Sequence, residues 1–211
     1  QDGVFLGRDT QTTAFDGALI EDCEARYNAR TGISVNYQAT NFIIRRNHCH
    51  HNDLWDEAQW TGGIKCYDDT NTLAGADIYH NWVHDNGHDD GSAVQGDGAG
   101  IWFDAVAGGA ANPNVIRHNY IHDNLGNGVF IEISSDIHCF GNLIVDNATT
   151  TYTLNEFMPA GIAVDTRLTF LTEDNLIYNN TIIGGRCGIK VASYSQSTCE
   201  INNNLVRNNI A

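Results

Sequence analysis

Three carboxylates recur at the same place in three similar strings: Asp104 closes GIWFD (100–104), Glu132 closes GVFIE (128–132) and Asp165 closes GIAVD (161–165). If these strings are strands stacked side by side, neighbouring carboxylates lie about 5 Å apart, the spacing of adjacent strands. Like charges that close raise at least one pKa and separate a pair into an acid and a base. The same spacing suits retaining glycoside hydrolysis, whose two carboxyl groups stand about 5–5.5 Å apart. Trp102 and Phe130, each two residues before its acid, would offer aromatic faces to sugar rings. An acidic column on an outward sheet face is also what a solvated surface or a calcium site looks like. A chain with 11 Lys+Arg against 26 Asp+Glu, net −15, acquires acidic neighbours by accident.

The elements that must position these groups form a repeat. GISVN (32–36), GIKCY (63–67) and GIKVA (188–192) share the Gly-apolar-x-apolar pattern of the three acid-ending strings. Ile/Val-rich segments with asparagines follow: IIRRNHCHHN (43–52), IYHNWVHDN (78–86), IRHNYIHDN (116–124) and LIYNNTI (176–182). Alternating apolar residues read as short strands with one buried face. Asparagines at 47, 81, 119, 142, 180 and 204 recur at turn positions, at intervals of 34, 38, 23, 38 and 24 residues. The short intervals set a coil of about 23 residues, and coils of that size cannot bury their apolar face alone, so they stack. The expected architecture is all-β, a right-handed parallel β-helix of about six to seven coils spanning 1–211 as one domain, with Asn ladders up the stack.

The two-residue side-chain period fixes the faces. Ile33/Val35, Ile64/Cys66, Ile101/Phe103, Val129/Ile131, Ile162/Val164 and Ile189/Val191 point inward, and all are apolar or Cys. One outward column reads Ser34, Lys65, Trp102, Phe130, Ala163, Lys190; the next reads Asn36, Tyr67, Asp104, Glu132, Asp165, Ala192. The turn before the Gly strand is short at 29–31 and 125–127 and long at 53–62, 87–99 and 148–160. The long loops fall beside the outward columns and would wall a cleft there. Lys65 and Lys190 read as isolated surface cations.

Composition excludes several classes. A net charge of −15 repels phosphate backbones, so no nucleic-acid partner is expected. No apolar run approaches the roughly 18 residues of a membrane span, and no signal peptide is recognisable. With 21 Gly and 24 Asn against 2 Pro, the chain is rich in residues that tolerate tight left-handed turns. The six cysteines lack CxxC spacing, which argues against a zinc ribbon. Cys66 and Cys139 fall on apolar positions and read as buried thiols; Cys23 with Cys49, and Cys187 with Cys199, are candidate disulfides. The sequons at Asn147 and Asn179 fall on repeat asparagines and read as chance matches. His50, His84 and His122 share one turn position on consecutive coils; a metal could bind there, but stacking and backbone hydrogen bonds account for the column, so no cofactor is expected. Asp85, Asp89, Asp90 and Asp97, in the 84–97 loop, could hold Ca²⁺ without EF-hand spacing, though loop solvation explains them as well. The chain stops in mid-repeat at NNNLVRNNIA (202–211). Open ends would suit a piece of a longer solenoid or head-to-tail self-association.

The stretch GIWFDAVAGGAANPNVIRHNYIHDNLGNGVFIEISSDIHCFGNLIVDN (100–147) resembles the catalytic coils of the β-helical β-xylosidases of glycoside hydrolase family 120. In that family GIWLD carries the nucleophile and FVE, one coil on, the general acid/base. The resemblance therefore implies Asp104 as nucleophile and Glu132 as acid/base. It departs where Asp136-Ile-His138 replaces the family's His-Gly. Lys65, Tyr67 and Asp165 would then bind hydroxyls, with Trp102, Phe130 and Trp55 or Trp60 as the sugar platform. The expected function is a secreted retaining glycoside hydrolase acting on polysaccharide or oligosaccharide. The alternatives are a non-catalytic carbohydrate-binding or adhesion β-helix and a stacking structural filament; a polysaccharide lyase, with Lys65 as its base, stands behind them.

Overall fold

The computed structural model describes residues 2–7, 15–54, 61–70, 72–87, 98–106, 108–149, 160–166, 171–193, 200–202 and 205–211. Within them the chain winds through three long parallel sheets, each strand pairing with its counterparts one coil before and after. The first sheet holds the Gly strands: Val4–Leu6, Ile33–Asn36, Gly62–Tyr67, Ala99–Asp104, Val129–Glu132, Ile162–Thr166 and Ile189–Ser193. The second runs from Leu19–Glu21 through Ile43–Arg45, Asp77–Tyr79, Asn114–Arg117, Ile137–Phe140 and Leu176–Tyr178 to Leu205–Arg207. The third contains Glu24–Arg26, His48–His50, Trp82–His84, Tyr120–His122, Leu143–Val145 and Thr181–Ile183. Seven Gly strands make about seven coils, as the repeat implies.

Register follows the apolar alternation. Ile101 pairs with Ile64 and Val129, and Phe103 with Cys66 and Ile131. All six side chains are fully buried, in one continuous core with Ile44, Ile78, Ile116 and Ile121 from the other two sheets. Burying an Ile side chain contributes about 1.5–3 kcal/mol, so a column of them fixes the stacking more strongly than local propensity could. The inward column thins at the last coil, where Val191 is 45% exposed.

The corners explain the Asn content. Between the second and third sheets every connection has two residues: a left-handed residue, such as Arg46 (φ 54°), His80 (φ 55°) or His118 (φ 52°), then Cys23 on the first coil and an asparagine on each later one. Those asparagines form a ladder, Asn47→Asn81→Asn119→Asn142→Asn180→Asn209, each Nδ2 donating to the next Oδ1 at 2.9–3.1 Å. The ladder's last rung is Asn209, not the Asn204 that the sequence spacing suggested. Equal spacing was the wrong guide there, because the final coil is 29 residues long. A second ladder, Asn28→Asn52→Asn86→Asn124→Asn147, climbs the corner after the third sheet at 2.8–2.9 Å. Left-handed backbone costs a non-glycine residue about 1–2 kcal/mol; the amide bonds that each corner makes offset it.

The geometry bears on the sequon asparagines and the cysteines. Asn147 is a buried rung, inaccessible to glycosylation, whereas Asn179 is an exposed left-handed residue (φ 55°) ahead of rung Asn180. Cys23 and Cys49 are not bonded. In-register stacking places Ala25, not Cys23, against Cys49, and Cys23 lies exposed in the corner, its thiol donating to the Glu21 carbonyl at 3.2 Å. Cys49, Cys66 and Cys139 are buried as free thiols, and burial pushes Cys139 up to about 12. Alkylation of the native protein followed by peptide mapping should therefore label Cys23 and spare those three until the chain unfolds. A peptide pair linked through Cys23 and Cys49 would contradict this arrangement. Cys199 lies outside the described residues, and with it the proposed Cys187–Cys199 bond; Cys187 is free.

Candidate functional site

The outward face of the first sheet carries the acid column as the repeat predicts. Asp104 stands between Tyr67 and Glu132, and Glu132 between Asp104 and Asp165, in strict parallel register. One column over, Trp102 stands between Lys65 and Phe130, and Ala163 between Phe130 and Lys190. Flat strands at fixed spacing hold the three carboxylates more rigidly than loops would.

Two lysines close the column at its ends. Lys65 Nζ lies 2.8 Å from Asp104 Oδ2, and Lys190 Nζ lies 3.0 Å from Asp165 Oδ2. Neither is the isolated surface cation expected from sequence, because each reaches diagonally across one strand to an acid one coil away. Lys65 also sits over the indole of Trp102, 3.7 Å from its ring centroid, a close cation–π contact. Burial pulls the Lys65 ammonium below its usual range, against the raising influence of Asp104. Glu132, 2% exposed, and Asp165, 1% exposed, are deeply buried, whereas the Asp104 side chain keeps 15% of its surface in solvent. Access to the column is thus from the Asp104 side, where half-buried Tyr67 packs edge-on against Tyr37. Burial, then Asp69 and Tyr37, push the Tyr67 phenol upward, so it is a neutral hydroxyl donor at neutral pH.

The aromatic platform differs from the expectation. Trp102 and Phe130 point away from the main core but are buried, stacked at 5.1 Å in a second apolar cluster with Ala99, Ala160 and Ala163. Two large rings side by side remove far more apolar surface from water when covered than when left as a ledge. They therefore brace Lys65 and the acid column rather than present themselves to solvent. Trp55 and Trp60, and Asp89, Asp90 and Asp97 of the suggested calcium loop, lie outside the described residues. The bases of the first two long loops are tied together by Gly98 N donating to Asp53 Oδ2 at 2.9 Å.

Open aromatic rings occur on the third sheet instead. Trp82 is 45% and Tyr120 40% exposed, in a column with His48. Beside it His50, His84 and His122 stack in register, as the sequence implied. His48, which the sequence reading passed over, joins them: its Nε2 lies 2.7 Å from His84 Nε2. Its signal was the alternation in HCH (48–50), which puts both histidines on one face. Asp85, from the suggested calcium loop, accepts instead from His84 Nδ1 at 2.6 Å. Burial, then the neighbouring rings, hold His48 below the usual histidine range, and burial does the same for His84.

Comparison with known proteins adds the following. The family described as "Right handed beta helix region" matches residues 1–169. No curated protein matches the sequence. The Dettilon tailspike protein superposes with a TM-score of 0.52 at 15% identity, over 98% of this chain and 40% of its own. The periplasmic alginate epimerase AlgG gives 0.47 at 13%, over 98% and 47%. The Azotobacter vinelandii mannuronan C-5 epimerase AlgE4 A-module gives 0.42 at 14%, over 91% and 58%. The chain thus spans 40–58% of the length of these three proteins, and the likeness is one of fold.

Proposed function

The chain belongs to the right-handed β-helix family, and on that scaffold we propose that the Asp104–Glu132 pair makes it a secreted, carbohydrate-active retaining glycoside hydrolase of β-xylosidase-like chemistry. The observation that carries this reading is the unequal environment of the two acids. Asp104 has the Lys65 ammonium 2.8 Å away and keeps 15% of its side-chain surface in solvent; Glu132 is 2% exposed, buried between Asp104 and Asp165. Carboxyls on adjacent strands in unlike surroundings can take unlike roles, one as nucleophile and one as acid/base. Two carboxyl groups about 5 Å apart, one ionised and one protonated, are what retention requires.

In this reaction an Asp104 oxygen attacks the anomeric carbon as the glycosidic C–O bond breaks, and the Glu132 proton goes to the departing oxygen. The Glu132 carboxylate then takes a proton from water, whose oxygen displaces Asp104 and frees the sugar with its original anomeric configuration. Tyr67, on the open side of Asp104, and Lys65 are placed to hold sugar hydroxyls. Polymeric substrates do not cross membranes, which is why the reading carries an extracellular location with it.

The test is a panel of nitrophenyl glycosides and plant or microbial oligosaccharides, with product configuration followed by proton NMR from the first turnovers. Retained product is expected; inverted product would remove Asp104 as nucleophile. One observation favours a second reading. A buried lysine with a lowered pKa beside acids is also the base of a uronate β-elimination, and appearance of unsaturated uronate in the same panel would select it.

A further inference from the structure

We propose that His48, His50 and His84 form a binding site for a divalent transition-metal ion of the zinc and copper class on the outer face of the third sheet. One ring nitrogen from each residue lies within 4.8 Å of the other two. Imidazole nitrogens suit zinc, copper and nickel, and three of them without a carboxylate majority disfavour calcium and magnesium. The site is remote in kind from the acid column, since it uses a different sheet, different donors and no residue of the proposed reaction.

The pairing of the rings argues for ligation over simple stacking. Asp85 Oδ2 accepts from His84 Nδ1 at 2.6 Å, which leaves the lone pair on Nε2. That nitrogen faces His48 Nε2 at 2.7 Å. Carboxylate-oriented histidines of this kind are the usual outer support of a metal ligand. A zinc ion about 2.1 Å from two tetrahedral ligands sets them about 3.4 Å apart, so the rings need part by only about 0.7 Å. His50 meets His51 through Nδ1 at 2.8 Å and Glu24 through Nε2 at 3.2 Å; an ion would take over one of these contacts and the other would hold the ring, and Glu24 supplies an oxygen beside the cluster. The rings sit on paired strands, with His48 flat against Trp82 at 4.2 Å and 1°.

His122 provides the internal contrast. It stacks on His84 at 4.6 Å and 4°, but the ring nitrogens that converge within 4.8 Å are those of His48, His50 and His84. His122 Nε2 accepts from the Trp82 indole N–H and its Nδ1 meets Asp123, both at 2.7 Å. The column of three that the sequence suggests is therefore not the ligand set. His48 takes the place of His122.

The experiment is calorimetric titration of the chelator-dialysed full chain with ZnCl₂, with CoCl₂ absorption reporting nitrogen coordination. One ion per chain is expected, with affinity lost in His84→Ala and His48→Ala, lowered about 10–100-fold in Asp85→Asn, and kept in His122→Ala. Failure to bind zinc, or equal binding by His84→Ala and the wild type, would overturn the site. Should a variant misfold, histidine NMR of the wild-type chain decides: zinc should move the His48, His50 and His84 ring signals, and movement of other histidines alone would refute the assignment.

Discussion

Glu132→Gln should slow hydrolysis of an oligosaccharide by about 10²–10⁴-fold, the usual contribution of a positioned general acid, and slow a nitrophenyl glycoside much less. The reason lies in the leaving group. A sugar alcohol departs only with a proton, which Gln cannot give, whereas nitrophenolate departs without one. Asp104→Asn should behave differently, removing turnover of both substrates, because the covalent step itself is lost. Added azide separates the two further. In Glu132→Gln it intercepts the glycosyl-enzyme and yields a glycosyl azide of retained configuration. In Asp104→Asn it can only attack directly and invert. Equal losses on both substrates for Glu132→Gln would remove it from the acid role, and unchanged hydrolysis by Asp104→Asn would end the assignment. Lys65 belongs to the same argument. Lys65→Met should leave Asp104 without its ammonium 2.8 Å away and let its side chain turn out of position. Turnover of oligosaccharide and nitrophenyl substrates should then fall together, because both need Asp104 held in line for attack.

Asn119→Ala should cost about 3–5 kcal/mol of stability and lower the melting temperature by about 10 °C. Asn119 Oδ1 accepts from the Asn81 backbone N–H and from Asn81 Nδ2, both at 3.0 Å. Its Nδ2 donates to the Ile78 carbonyl at 2.9 Å and to Asn142 Oδ1 at 3.1 Å. Alanine leaves all four partners without that side chain in a region where Asn81, Asn119 and Asn142 are each no more than 2% exposed. Each buried group so stranded costs about 1–3 kcal/mol, less what relaxation recovers. In a chain of 211 residues each kcal/mol shifts the melting temperature by about 2–4 °C. Asn119→Asp should be at least as harmful, since it keeps an acceptor but removes the donor and adds a buried charge. Urea unfolding followed by circular dichroism measures this directly. A loss under about 1 kcal/mol in both variants would mean that the ladder is incidental to stability.

The fold was legible because its determinants are local and periodic. Gly-apolar-x-apolar strings gave inward and outward faces correctly for Ile101, Trp102, Phe103 and Asp104, and the pairing of Asp104 with Glu132 followed from counting alone. What the spacing could not supply was depth. Trp102 and Phe130 face outward as expected, but whether an outward ring is bare or covered depends on the rest of the tertiary structure, which strand periodicity does not encode. The lysines were misread for a related reason. A side chain as long as Lys65 or Lys190 finds its partner diagonally, one strand over and two residues on, and a column-by-column reading keeps diagonal neighbours apart. His48 was missed because the turn motif drew attention to the residue before each Asn corner and away from the opposite end of the same three-residue strand. The final rung of the ladder, Asn209, shows the limit of extrapolating a period through a coil of different length.

The corner between the second and third sheets has the same two-residue length on every coil from Asp22–Cys23 to Asn179–Asn180, while coil lengths along the Asn ladder run from 23 to 38 residues. All of that variation is therefore taken up by the other two connections. In evolutionary terms the chain keeps its timekeeping separate from its vocabulary. An insertion at Arg46–Asn47 would throw every later coil out of phase, whereas one in a connection whose length already differs from coil to coil leaves the stack in register. A library of inserted peptides should survive selection at the second place and vanish at the first, which makes this scaffold one whose specificity can be exchanged by grafting while its stack stays untouched.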